Sequence, residues 1–168
     1  MEKKKNDFIA QGSILAVASI LVRVMGMIYR IPMTAIIGDK GNGFYSYAYS
    51  VYTILLLLSS YSLPLAVSKM VSAKAQLGQW RNVKRVFICA IAFAIGIGTT
   101  FGLIVLIGAQ FFTRVFFHSE LAAIALRFMA PTILIMALLG VFRGFFQGLQ
   151  NTLPTAVSQI VEGLINAI

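Results

Sequence analysis

GSILAVASILVRVMGMIYRIP, residues 12–32, is an apolar run with two arginines inside it, Arg23 and Arg30. At helical spacing Gly12, Ala16, Ser19, Arg23, Gly26 and Arg30 share a face, because steps of four and three residues hold one line along an α-helix. Ile14, Leu15, Val17, Ile20, Leu21, Val24, Met25 and Met27 fill the other faces and suit lipid. The pattern predicts a membrane helix with one small, cationic stripe, and such a stripe calls for an anion.

The rest of the chain has the same character. Of 168 residues, 59% are hydrophobic and 11% charged, with a mean hydropathy of +0.87. A soluble domain is about a quarter charged, so an all-α integral membrane protein is expected. The net charge of +9 speaks first for cytoplasmic loops and second for an anionic ligand. Nucleic acid is not expected as a partner, because the cations are spread between and within the apolar runs. Cys89 stands alone in an apolar run, so neither a disulfide framework nor a metal site follows, and a buried, inert thiol is expected. Lys3, Lys4 and Lys5 before apolar residues, with Ala16-Val17-Ala18 beyond, resemble a cleavable leader. Gln11, Gly12 and Ser13 interrupt that run and the apolar pattern continues past the would-be cut, so an uncleaved first span is expected.

Residues 8–31 are long enough to cross a hydrocarbon core of about 30 Å at about 1.5 Å per residue. Residues 38–43, Gly38-Asp39-Lys40-Gly41-Asn42-Gly43, read as a tight turn. A second span is expected over 44–63 and a break at Pro64. Tyr45, Tyr47, Tyr49 and Tyr52 crowd its first half as an interfacial belt would, and Ser46, Tyr49, Thr53 and Ser60 form a polar line. Residues 65–85 alternate Lys69, Lys74, Arg81, Lys84 and Arg85 with apolar residues, which suits an amphipathic segment on the membrane surface ending near Gly78. A third span over 86–112 carries Gly96, Gly98 and Gly102 for close helix contact. After a short loop with Arg114, His118 and Glu120, a fourth span is expected over 121–142. It carries Arg127, Pro131 and, at its end, Arg143; both arginines read as interfacial anchors. A polar turn over 147–154 leads through Pro154 into a fifth span. That span has only residues 155–168, about 21 Å of helix, so the chain reads as four full spans and the start of a fifth. The positive-inside rule puts the N-terminus in the cytoplasm: nine cations (Lys3 to Lys5, Lys69, Lys74, Arg81, Lys84, Arg85, Arg143) fall on one side, against Lys40, Arg114 and Arg127 on the other.

Arg23 lies about 22 Å of helical rise into the first span. An arginine at that depth faces a bundle interior or a wet cavity, or it pairs with an acid. Arg30, near the outer end, can also snorkel to the headgroups. Thr155, Gln159, Glu162 and Asn166 repeat the stripe with opposite sign on the last helix. Glu162 reads as an ion-pair partner for a first-span arginine, a proton or cation site, or a hydrated carboxylate. No catalytic constellation appears in the sequence, and neither enzymatic activity nor a cofactor is expected.

Three stretches carry a resemblance. Arg143-Gly144-Phe145-Phe146-Gln147-Gly148, with Asn151, Pro154-Thr155-Ala156, Ser158-Gln159 and Glu162, resembles the polysaccharide-transport branch of the multidrug/oligosaccharidyl-lipid/polysaccharide exporter superfamily. Within that branch it is similar to the group of stage V sporulation protein B and the Gram-positive lipid II flippases. Leu21-Val22-Arg23-Val24-Met25-Gly26 with Tyr29-Arg30, and Leu63-Pro64-Leu65-Ala66-Val67-Ser68-Lys69, agree with it in order along the chain. The resemblance implies the N-terminal lobe of a two-lobe transporter of about fourteen helices, the C-terminal lobe lying beyond residue 168. It implies lobes that rock about a central cavity holding a lipid-linked sugar, in a bacterial cytoplasmic membrane.

In such flippases a first-span arginine lines a cationic cavity for pyrophosphate, and Arg23 is in the matching place. The Gram-negative flippases carry a further arginine where this chain has Tyr29, others where it reads Leu55 to Ser60, and an acid where it has Gly43 or Phe44. Arg30 is displaced by one position from the Tyr29 site and faces another direction. The implied function is a flippase for a polyprenyl-pyrophosphate-linked cell-wall or polysaccharide precursor, lipid II foremost. Arg23 and Arg30 are then expected on the diphosphate, with Tyr49, Thr53, Gln159 and Glu162 toward sugar or peptide groups. A cation-coupled drug exporter of the same superfamily would want an acidic cavity, and a membrane scaffold would make the arginines structural.

Overall fold

The computed structural model describes the backbone at residues 2–60, 62–117 and 121–167, and side chains over 12–57, 62–115 and 122–165. The side chains of Lys3 to Lys5, Ser60, His118, Glu120 and Asn166 lie outside the described residues, as does the backbone of His118 and Glu120. Five helices follow in order: α1 (Glu2–Ser60), α2 (Leu63–Gln76), α3 (Trp80–Phe117), α4 (Leu121–Gly148) and α5 (Leu153–Ala167). There is no strand among the described residues. Gly12–Leu57, Trp80–Val115 and Ala122–Gly148 are each long and apolar enough to cross a membrane. The protein is an all-α membrane protein.

The 46 residues of Gly12–Leu57 would rise about 69 Å as one rod, roughly twice the hydrocarbon thickness. They do not form one rod. Gly38 is non-helical, with φ 70° and ψ 175°, a backbone region open essentially to glycine alone. The phenol of Tyr45 lies within electrostatic reach of Tyr29 and Arg30, which a straight helix would hold more than 20 Å away. The chain therefore folds back at Gly38 into two limbs, residues 2–37 and 39–60. The turn expected over residues 38–43 is thus concentrated in one residue, and 39–43 are already helical. Gly38→Ala is expected to cost about 1–3 kcal/mol. Gly43→Ala, where an added Cβ meets nothing within 4 Å, is expected to be neutral or to stabilise by up to about 1 kcal/mol. Thermal unfolding of the two variants in detergent separates a one-residue hinge from a spread turn, which would make them alike.

Pro64 lies in the first turn of α2, where a missing N–H is harmless. Helix α2 ends at a turn through Gly78, φ 67°, and α3 starts at Trp80. Arg81, Lys84 and Arg85 therefore belong to the first turns of α3 and not to a continuous surface segment over 65–85. Helix α2 is also packed: Val67 and Val71 are buried against Val83 of α3, Phe145 of α4 and Leu149 just past the end of α4.

Helix α4 is the hub. A third of its apolar window is buried, against 6% in α1, and it packs on all four other helices. One core cluster joins Ala48, Val51 and Tyr52 of the second limb to Val105 and Ala109 of α3 and Ala123, Leu126, Ala130 and Ile133 of α4. Lipid tails are as apolar as these side chains, so contact is won by close approach, and small residues supply it. A Cβ on Gly98 would stand 2.9 Å from Leu134 Cα, and one on Gly102 would stand 3.3 Å from the Ala130 carbonyl oxygen. Gly96, expected in the same role, points into open space. Cys89 is exposed, a correction to the buried thiol the apolar run suggested.

Candidate functional site

The first limb of α1 packs on α5, and it does so one position away from the polar stripe. A Cβ on Gly163 of α5 would meet Met25 Cε at 2.8 Å and the Val22 methyls at 3.4 and 3.5 Å. Ala18 is buried, and Leu15, Val22, Met25 and Tyr29 are partly covered. Leu15 and Met25 were expected to face lipid. Gly12, Ala16, Arg23 and Arg30 are exposed, while Ser19 and Gly26 sit half-covered at the edge. The cationic stripe thus runs along the open flank of the lobe, beside the helix contact and not inside it.

Arg23 and Arg30 make no hydrogen bond or ion pair among the described residues. The acid expected to answer them is engaged elsewhere. Arg143 Nη2 donates to Glu162 Oε2 at 2.6 Å, and Arg143 Nε donates to Ser158 Oγ at 3.3 Å. The Ser158 hydroxyl in turn donates to the Thr155 carbonyl at 2.8 Å. The Arg143 side chain is 18% exposed and that of Glu162 37%. Arg143 therefore ties α4 to α5, and Glu162 pairs with it and not with the first-span arginine that was expected.

Tyr49 and Thr53 are exposed on the second limb. Tyr45 and Tyr49 stack with centroids 5.8 Å apart, and Tyr49 and Tyr52 lie 6.0 Å apart. Tyr52 is buried and interacts electrostatically with Glu162. The second limb thus carries a ladder of phenols from the neighbourhood of Arg30 to that of the Arg143–Glu162 pair. The Thr53 hydroxyl donates to the Tyr49 carbonyl at 2.7 Å, so it offers a ligand only lone pairs. On α5, Gln159 Oε1 and Thr155 Oγ1 are buried and accept no hydrogen bond, which leaves two polar atoms without the compensation that buried polar groups ordinarily find.

Arg143, Ser158 and Tyr52 were not among the expected site residues. The signal for the first two lay in the quoted run from Arg143 to Glu162: Ser158 and Glu162 are one helical turn apart, so a cation reaching one reaches both.

The three stretches that carried the resemblance meet in space. Gly144 and Gly148 of α4 seat α2 at Pro64 and Ser68, and Gly163, one residue past Glu162, seats α5 on Val22 and Met25. The family model described as polysaccharide biosynthesis protein matches residues 8–168. Lipid II flippase MurJ of Bacillus subtilis (strain 168) is 27% identical over 163 residues, covering 92% of this chain and 30% of its own length. Stage V sporulation protein B of the same organism is 27% identical over 161 residues, covering 96% of this chain and 31% of its own length. The uncharacterized membrane protein YabM, also from that organism, is 28% identical over 159 residues, covering 94% of this chain and 29% of its own length. The chain thus spans about three-tenths of the length of these curated relatives. No solved structure matches it.

Proposed function

Because the chain belongs to the polysaccharide biosynthesis protein family, we propose that it forms part of a flippase for a polyprenyl-pyrophosphate-linked precursor. Lipid II is the first substrate to test, since one relative is named for it. The observation that carries the reading is the isolation of Arg23: a cation deep in an apolar helix, exposed on the open flank, with no acid answering it among the described residues. An uncompensated guanidinium at membrane depth is costly, and a diphosphate delivered by the substrate supplies the missing charge. A guanidinium presents a planar fork of donors that matches phosphate oxygens, and low dielectric strengthens the pairing.

In this reading Arg23 holds the diphosphate and Arg30, nearer the turn at Gly38, shares it. Tyr49, Thr53 and Gln159 contact sugar or peptide groups, and Glu162 acts through its tie to Arg143. The lobe would rock against a C-terminal lobe in alternating access while the polyprenyl tail stays in membrane lipid. The N-terminus and the α2–α3 turn would lie in the cytoplasm. Membrane potential acting on charged groups is a sufficient drive to consider first. A cation-coupled drug exporter is less well supported, because the acid such a mechanism needs is tied to Arg143.

A lipid II translocation assay on the full-length protein with Arg23→Ala tests the proposal. A charge-assisted hydrogen bond is worth about 1.5–3 kcal/mol, so translocation is expected to fall about ten- to a hundredfold at unchanged expression, with partial recovery in Arg23→Lys. Wild-type rates in Arg23→Ala would remove Arg23 from the substrate site.

A further inference from the structure

A second cationic site lies between α2 and α3, on helices other than the one that carries the stripe. Helices α2 and α3, antiparallel across the Gly78 turn, enclose a groove of about 630 Å³ lined by Leu63, Val67, Met70, Val86 and Phe93, with Cys89 on its wall. Lys74 and Arg85 line the same groove at the end nearest the turn, beside Asn82. The Asn82 amide donates to Gln79 Oε1 at 2.9 Å. Lys74 and Arg85 make no hydrogen bond or ion pair among the described residues. From Arg85 to Phe93 the groove follows eight residues of α3, about 12 Å of apolar wall leading away from the charges.

Trp80 is 63% exposed one turn before Lys84 and Arg85. An exposed indole beside a cluster of cations marks the headgroup level of a bilayer. The paired charges therefore stand where lipid phosphates lie, and the apolar wall runs toward the acyl chains.

We propose that this groove binds one anionic glycerophospholipid from the leaflet that holds the α2–α3 turn. The phosphate sits between Lys74 and Arg85, and one acyl chain lies along Met70, Val86, Cys89 and Phe93. The occupant is chosen by charge complementarity: two unanswered cations at the mouth, an apolar trough behind them, and no acid among the lining residues. A zwitterionic lipid would set its own cation against Lys74 and Arg85. By bridging α2 and α3 the bound lipid would hold α2 against the base of α4. This site is independent of the flippase reading.

Cys89 lines the groove, so its alkylation, read on the peptide that contains it, reports occupancy. The full-length protein is placed in nanodiscs of phosphatidylcholine alone or with a fifth phosphatidylglycerol, and the rate of N-ethylmaleimide reaction is measured. Phosphatidylglycerol is expected to slow the reaction about five- to tenfold. Lys74→Gln with Arg85→Gln is expected to abolish that slowing while leaving the rate in phosphatidylcholine unchanged. Lys69→Gln with Arg81→Gln, cations that do not line the groove, is expected to retain it.

Equal protection in the two lipid compositions would overturn the proposal, as would protection that survives Lys74→Gln with Arg85→Gln. Loss of protection in Lys69→Gln with Arg81→Gln would assign the effect to general surface charge and overturn the site. Full protection in detergent without lipid would show that another part of the protein covers the groove, and would equally overturn it. A native mass spectrum that retains one phosphatidylglycerol on the wild type and none on the Lys74/Arg85 variant is the second expected result, and it does not depend on thiol chemistry.

Discussion

Gly144→Leu is expected to destabilise the lobe strongly. A single methyl at this position would stand 2.5 Å from the Pro64 carbonyl oxygen and 2.8 Å from Pro64 Cα, distances at which backbone and not a flexible side chain must give way. Neither helix is free to move. Leu63, next to Pro64, is buried with Ala94, Ala137 and Val141, and one turn further on Gly148 meets the Ser68 carbonyl oxygen and Val71 in the same way. Separating α2 from α4 at Gly144 therefore also opens the cluster of Val67, Val71 and Val83. Overpacking a tight site costs about 1–3 kcal/mol for small additions, and a leucine adds three carbons beyond the methyl. At about 2–4 °C per kcal/mol for a chain of this size, the midpoint of thermal unfolding in detergent should fall by about 10 °C or more. Gly96→Leu is the matched control, because Gly96 faces open space. A melting point for Gly144→Leu within a degree or two of that control would mean the α2–α4 contact does not exist in the folded protein.

The same contact shows what sequence can and cannot deliver here. Composition and run length are local properties, so membrane class and all-helical architecture were legible from the apolar runs, and so was the break at Pro64, because it depends on one ring and one missing donor. Helix adjacency is not local. The stripe through Arg23 was legible as a face of the helix, but spacing could not show that α5 packs beside it. Contact in lipid follows steric fit and not polarity, and the fit is made by Gly163 accepting Val22 and Met25. The partner of Glu162 was missed for a related reason. Spacing places a residue on a face of its own helix, while the pairing with Arg143 depends on the turn between α4 and α5, where Gln150 takes φ 59°. Thr53 illustrates the limit for the site itself: a hydroxyl that looks available in sequence already donates to its own helix.

Glu162→Gln alone is expected to destabilise the lobe, and Arg143→Gln with Glu162→Gln is expected to restore most of the loss. Arg143 is 18% exposed and its charge is met by Glu162 at 2.6 Å and by the Ser158 hydroxyl at 3.3 Å. Taking away the carboxylate leaves a guanidinium in apolar surroundings with one neutral acceptor. Breaking a buried pair costs about 3–5 kcal/mol, whereas replacing both members by neutral groups is often nearly free. The partial exposure of Glu162 argues for the low end, about 3 kcal/mol. Arg143→Gln alone should cost less, because the carboxylate left behind is 37% exposed and can be hydrated. A double-mutant cycle on unfolding midpoints measures the coupling directly. Translocation by the double variant then distinguishes two roles for Glu162. A tie between α4 and α5 predicts that transport recovers along with stability, since the geometry is kept without the charges. A proton or cation site predicts that stability recovers while transport stays lost, because no carboxylate remains to titrate. Additive single effects, with no recovery in either measurement, would show that the ion pair does not form in the membrane.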